Sequence, residues 1–372
     1  MLDTIILQIP FSEGKVNNPH RFFPVAQNLL AVKAPFYKWK SNHTKEEKEK
    51  KIYRPRLTII KRGYQLFLKI EFSAPKLLLG NNLDEVEQED FEQIVRLLRD
   101  GIKEMGATIW THELENAQVL SFHPSKNIVL NNGYTSDFVI KELYKANVSK
   151  TFDLNKADFR NNGQSLQVYT NSHSFVVYDK INDLAKPEKR AIDKEQTKQQ
   201  RSLFELIRKE HKRLEVIRFE VRLSSKRKMA YVLRDIGYTD KSPIFKEIFY
   251  KDICKALVQK YWNDYFGKNL FIFSVENNPQ NILRSVLMAN PKLKIAKAVQ
   301  EVGLRILCKD DEGIRGFRAI TEGLRGKDSW SYINRQIKAL GAPKQAELHG
   351  FVRQIEQGLR DFKALKLNLK IK

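Results

Sequence analysis

Apolar and polar residues alternate in several short runs of the N-terminal half and recur at three- and four-residue spacing elsewhere. These two periods predict the elements. DTIILQI at 3–9 reads as a first strand, closed by Pro10. YRPRLTII at 53–60 and YQLFLKIEFS at 64–73 flank Arg62-Gly63 and read as a hairpin. Further strands are expected at 116–123, 165–170, 173–179 and 215–223. Phe91, Ile94, Val95, Leu98, Ile102 and Met105 form one face of a helix over 87–105, ended by Gly106. A second helix is expected at 135–146. A third, charged one falls within 188–213, striped by Leu203, Phe204, Ile207 and Leu214. The stretch 12–52, with its basic run KWKSNHTKEEKEKK, reads as a loop-like excursion facing solvent or DNA.

After about residue 226 the strand signals give way to helical ones at 243–267, 278–289, 293–307, 312–325, 329–340 and 344–363. Phe271-Ile-Phe273 is a short exception. The expected fold is α+β. A mostly antiparallel sheet of duplicated β-α-β flavour, with helices on one face, occupies 1–225, and an all-helical domain occupies 226–372.

A chain of 372 residues has room for a large core or two. Its formal charge of +22, spread over several segments, makes a polyanion the expected partner, with nucleic acid ahead of an anionic membrane surface. No run approaches the roughly 18 apolar residues of a membrane span. The opening MLDTIILQIPF, with Asp3 ahead of a short apolar run, reads as a strand rather than a leader. Cys254 and Cys308 lack metal-ligand spacing, which argues against a disulfide framework or a zinc ribbon and fits a reducing cytoplasm.

The alternation also places chemistry. Lys69 and Glu71 share the polar face of one strand, and Arg218, Glu220 and Arg222 that of another. His123 ends a strand in line with Ser121, and Tyr178 ends one in line with Ser174 and Val176. Were these strands neighbours, Glu71, His123, Glu220 and Tyr178 would converge on one uncovered face. Two carboxylates and an imidazole suit Mg²⁺ or Mn²⁺. Lys69, Arg218, Arg222 and Lys180 would hold a phosphate backbone. Tyr178-Asp179-Lys180 supplies a phenol with a cation beside it. Asp179 alternates away from the tyrosine and takes a structural role. Taken singly, each of these residues is also an ordinary charge on a wet strand.

Four blocks in order, MLDTIILQIPF, IEFSAPKLLLGNN, VVYDK and IRFEVRL, resemble the replication initiators of filamentous phages of the gene II/gene X type and their plasmid relatives. The resemblance covers residues 1–225. It implies a rolling-circle endonuclease of a bacterial host's cytoplasm that nicks one strand of an origin duplex and stays joined to the 5′ phosphate. Such an enzyme leaves a 3′-OH for a polymerase and works beside a helicase. Carried over, Tyr178 is the nucleophile, Lys180 its charge-stabilising partner and Glu220 a metal ligand. Ser121-Phe122-His123 departs from the Arg-Ile-Asp strand of phage members, so either His123 replaces the aspartate as ligand or the ligand lies elsewhere. Tyr169 is the competing nucleophile. In the C-terminal half Lys294, Lys297 and Arg335 are expected to touch DNA, with 294–304 in either a helix-turn-helix or a plain helical bundle with basic solvent faces. The other reading is a non-enzymatic basic DNA-binding protein, a repressor or replication factor. Oligomeric state stays open.

Overall fold

A computed structural model describes residues 1–41, 43–146, 164–184, 197–210, 214–238, 241–340 and 347–367, together with the backbone of 157–160. Nine strands form one sheet: β1 (Leu2–Phe11), β2 (Phe36–Ser41), β3 (Arg56–Arg62), β4 (Gln65–Ser73), β5 (Gln118–Leu130), β6 (Ala157–Arg160), β7 (Ser165–Tyr169), β8 (His173–Asp179) and β9 (Glu215–Leu223). Their order is β2-β3-β4-β1-β5-β9-β8-β7-β6, and every neighbouring pair is antiparallel. Between β2 and β9 lie the helices α1 (Lys45–Glu49), α2 (Ala74–Leu79), α3 (Phe91–Glu104), α4 (Thr111–Glu115), α5 (Ser136–Tyr144), α6 (Lys180–Leu184) and α7 (Lys198–Glu210). After β9 come α8 (Lys226–Asp235), α9 (Phe245–Ile248), α10 (Lys251–Tyr265), α11 (Pro279–Ala289), α12 (Ile295–Lys309), α13 (Gly313–Ala339, broken at Gly326) and α14 (Gly350–Asp361). The expected α+β class and helical C-terminal region are both present.

One face of the sheet carries Ile5, Leu7, Ile9, Leu68, Ile70, Phe72, Phe175, Val177, Phe219 and Val221, all at most 2% exposed. This face is too apolar to leave in water, and α3 covers it with the stripe Ile94, Val95, Leu98 and Ile102. The same core takes in Phe245, Leu257, Trp262, Phe351 and Ile355 from α9, α10 and α14. Buried residues on both sides of 226 thus share one hydrophobic cluster. The helices α11 and α12 pack separately through Ile282, Val286, Ala298 and Val302.

Several elements differ from expectation: Phe271-Ile-Phe273 falls in the short helical stretch Gly267–Phe273 rather than a strand, and α8 fills 226–235, where no helix was expected. β1 runs on through Pro10: its register with β5 ends at Gln8↔Gln118, so past that point one flank of β1 is open and a missing N–H is tolerated there. β5 continues past His123 to Leu130, where the β1 ladder jumps register between Ile5↔Phe122 and Leu2↔Pro124. The stretch 12–52 contains the edge strand β2 and the capped turn of α1. Of the charged helix expected within 188–213, α7 is its described part, and residues 188–196 and 211–213 lie outside the described residues.

Candidate active site on the polar sheet face

The opposite face is polar. Register alone builds its centre: Ser125↔Glu220 and Phe122↔Leu223 put His123 beside Arg222, while Val176↔Glu220 and Tyr178↔Arg218 bring β8 alongside. The Tyr178 hydroxyl donates to Glu220 Oε2 at 2.9 Å. Arg222 Nε donates to Glu220 Oε1 at 2.7 Å, and His123 Nδ1 lies 3.2 Å from the same oxygen. The sequence expectation that Glu220, His123 and Tyr178 converge is met.

Burial opposes ionisation of Glu220, yet Arg222 and then His123 outweigh it and hold the carboxyl well below its usual range. Burial pushes the Tyr178 phenol well above its usual value, and the Glu220 charge adds to this. Tyr178 is therefore a neutral donor at rest. The Lys180 ammonium, at the start of α6, is fully buried 5.7 Å from the Tyr178 ring centroid. It has no hydrogen-bond partner among the described residues and lies 3.7 Å from Asp183. Burial, then Arg218, push its pKa down to about 8. Asp179 caps α6 by accepting from the Asn182 backbone N–H at 2.9 Å, the structural role expected of it.

Arg218 departs from expectation. It is 1% exposed and holds no face toward a phosphate. Nη1 donates to Asp3 at 2.7 Å, Nε to Asn127 Oδ1 at 2.6 Å, and Nη2 to the Asn82 carbonyl. The segment after α2 makes this so. Gly80 takes a left-handed φ of +66° and turns the chain over the ends of β5 and β9, where the Leu83 carbonyl accepts from Asn127 Nδ2 at 2.6 Å. Glu85 fixes the segment by accepting from Lys126 Nζ at 2.6 Å and the Asn127 N–H at 2.7 Å. The chain after α14 straps it down: Glu85 and Leu365 exchange backbone and carboxylate bonds at 2.9 Å, and Leu367 N–H donates to Asp84 at 2.9 Å. Asp3, Asn82 and Asn127 are site residues that strand alternation does not point to. Their signals in the sequence are an acid inside an apolar strand and an amide between Lys126 and Ile128.

Glu71 also departs. It pairs with Ile6 of β1, which pairs with Ser121 of β5, so a whole strand separates it from His123. That separation is about 10 Å. Its carboxylate meets Lys69 at 3.4 Å. Among the described residues no three His, Cys, Asp or Glu side chains are grouped to hold a metal. The shell expected for Mg²⁺ or Mn²⁺ is thus assembled only as the pair His123 and Glu220, whose carboxylate oxygens already accept from Tyr178 and Arg222. Tyr169 sits in register with Ser174, which faces Arg222, on the same polar face. Lys69 and Arg222 are half-buried there. Lys294 precedes α12, Lys297 donates to Gln300, and Arg335 is exposed on α13. The consecutive pair α11 and α12, joined by 290–294, has helix-turn-helix connectivity, with 295–304 in its second helix.

No family model, curated protein or solved structure matches this chain.

Proposed function

We propose that this protein nicks one strand of DNA by tyrosine attack and rejoins it, as the gene II-type resemblance implies. The observation that carries the reading is the Tyr178 hydroxyl donating to Glu220 at 2.9 Å. Glu220 takes the phenolic proton. The phenolate oxygen bonds to the phosphorus and the P–O3′ bond breaks. The 3′ oxygen leaves with a proton from solvent, and rejoining is the reverse. Lys180 steadies the phenolate charge. Arg222 is the most exposed of the Glu220 partners. A phosphate that draws it away raises the proton affinity of Glu220 when the base is needed. His123 and Glu220 are the residues that would hold a Mg²⁺ or Mn²⁺ ion, which would polarise the phosphoryl oxygen and stabilise the phenolate. Origin DNA is the proposed substrate, with a host polymerase extending the 3′-OH.

The second reading is a DNA-binding protein without chemistry. It is favoured by the burial of Tyr178, 8% exposed, which suits a purely structural hydrogen bond. Single-stranded oligonucleotides labelled at either end separate the two. Nicking yields a denaturation-resistant adduct carrying the 3′-end label and releases a piece carrying the 5′-end label. Tyr178→Phe abolishes the adduct, and Glu220→Gln slows it by about 10²-fold or more. An adduct that survives in Tyr178→Phe removes Tyr178 from the reaction. DNA binding with no adduct from the native chain favours the second reading.

A further inference from the structure

The polar face continues beyond the site, across β1 and β4 to the sheet edge at β2. Its residues there come from the register: Phe36↔Arg62↔Gln65, Lys38↔Ile60↔Phe67 and Lys40↔Thr58↔Lys69. Side chains opposite one another in a ladder point to the same side, so Phe36, Lys38, Lys40, Arg62, Phe67 and Lys69 share one surface. Phe36 is 52% exposed, and Lys38, Lys40 and Arg62 are exposed with it. Across the sheet, on the helix-covered side, Trp39, Leu57, Ile59 and Leu68 are at most 2% exposed. Cations alternate with ring faces: Lys38 Nζ lies 4.9 Å from the Phe36 centroid and the Arg62 guanidinium 5.9 Å from that of Phe67. The one acid of β2, β3 and β4 is Glu71, which pairs across the ladder with Arg56 and meets Lys69 at 3.4 Å.

We propose that this surface, from β2 across β4 and β1 to β9, is a track that holds single-stranded DNA and leads it to Tyr178. Exposed aromatic rings offer planes on which unstacked bases lie, and interleaved lysines and arginines take the phosphates. A duplex keeps its base faces stacked and meets only the cations, so the rings select a single strand. From β2 to β9 there are five strand spacings, about 24 Å; the exposed stretch is β2 to β4, and Gln8, Ser121 and Glu220 beyond it are 8%, 5% and 2% exposed. The end point at Tyr178 rests on the nicking reading above, whereas the strand binding is independent of it.

Fluorescence anisotropy of a labelled oligothymidylate with the full chain tests the track. Phe36→Ala weakens binding by about five- to hundredfold, the worth of one stacked base. Phe36→Trp keeps it. Lys38→Glu with Lys40→Glu weakens it further and flattens the dependence of log K on log salt by about 0.7 for each phosphate no longer neutralised. A duplex of equal length competes at least tenfold less well. All these side chains but Phe67 and Lys69 are exposed, so an unchanged melting temperature confirms that the variants are folded. The track is overturned if Phe36→Ala and the double lysine variant bind as the native chain does, or if duplex competes equally. The two proposals fail separately. Weakened binding in Phe36→Ala without any adduct from the native chain leaves the track standing and removes the nicking. An adduct together with unaltered binding by Phe36→Ala does the reverse.

Discussion

Replacing Asp3 by alanine takes the carboxylate away from a guanidinium that is 1% exposed. The pair spans β1 and β9 at 2.7 Å, and Asp3 also accepts from the Ser73 hydroxyl at 3.0 Å. Burial works against the charge on Arg218, and the carboxylates of Asp3 and Glu220 restore it. With Asp3 gone, the Asn127 and Asn82 oxygens remain, but neither is an anion. Breaking one side of a buried pair costs about 3–5 kcal/mol, because the other charge is left in a poor solvent. Unfolding entropy near 2.1 cal/mol/K per residue gives about 0.8 kcal/mol/K for this length, so Tm falls by about 4–6 °C. Calorimetry or a circular-dichroism melt reads this. Asp3→Ala with Arg218→Leu should recover part of the deficit, since both charges then leave together. A fall below about 1 °C in Asp3→Ala, or strictly additive effects in the double variant, refutes the view that the pair anchors the floor of the site.

Three further outcomes are expected. Lys180 has a folded pKa of about 8 against an ordinary 10.5, so the unfolded chain binds more protons between those values and native stability rises with pH from 8 to 10.5. Lys180→Met abolishes that rise in pH-dependent melts, and is more stable than the native chain at pH 7. Cys254 and Cys308 are buried, with thiols pushed up to about 12 by burial, so a thiol reagent labels neither in the native protein and both after unfolding; rapid native labelling would contradict this. Truncation after residue 363 removes the hydrogen bonds of Leu365 and Leu367, and the Glu85 amide, which donates to the Leu365 carbonyl at 2.9 Å, should exchange at least about tenfold faster by hydrogen–deuterium exchange; unchanged protection would mean that the strap does not hold the segment.

Much of the site was legible because strand alternation is a local property. The period of two placed Glu220, His123 and Tyr178 on polar faces, and those faces proved to be one. What sits on top of a face is not local. Arg218 shares its face with Glu220, yet Asp3 of β1 pairs with it and the segment 80–85 roofs it over, and that roof depends on a turn more than a hundred residues away in the chain. Strand order is likewise non-local. Glu71 alternates as expected, but β1 enters between β4 and β5 and holds it apart from His123. The edge strand β2 was hidden by composition, since Lys38 and Lys40 read as loop residues, although lysines on an outer strand are a usual way of blunting an exposed edge. Apart from α8, the C-terminal helices were legible as helices, down to the break at Gly326, but their role as a lid on the sheet was not, since an apolar stripe does not name its partner.

The central place of β1 and β9 in the sheet bears on how the molecule is made. β5 must pair with the first strand on one side and with a strand that ends at Leu223 on the other. During synthesis the ribosome delivers β1 to β5 long before β9, so one flank of β5 waits with its ladder unpaired. Pairings of such long sequence separation make for slow folding. Until β9 arrives the nascent chain carries an open, apolar edge at what becomes its middle, the kind of surface to which a holding chaperone binds. Fragments ending before residue 215 should accordingly aggregate, rather than persist as a smaller folded sheet.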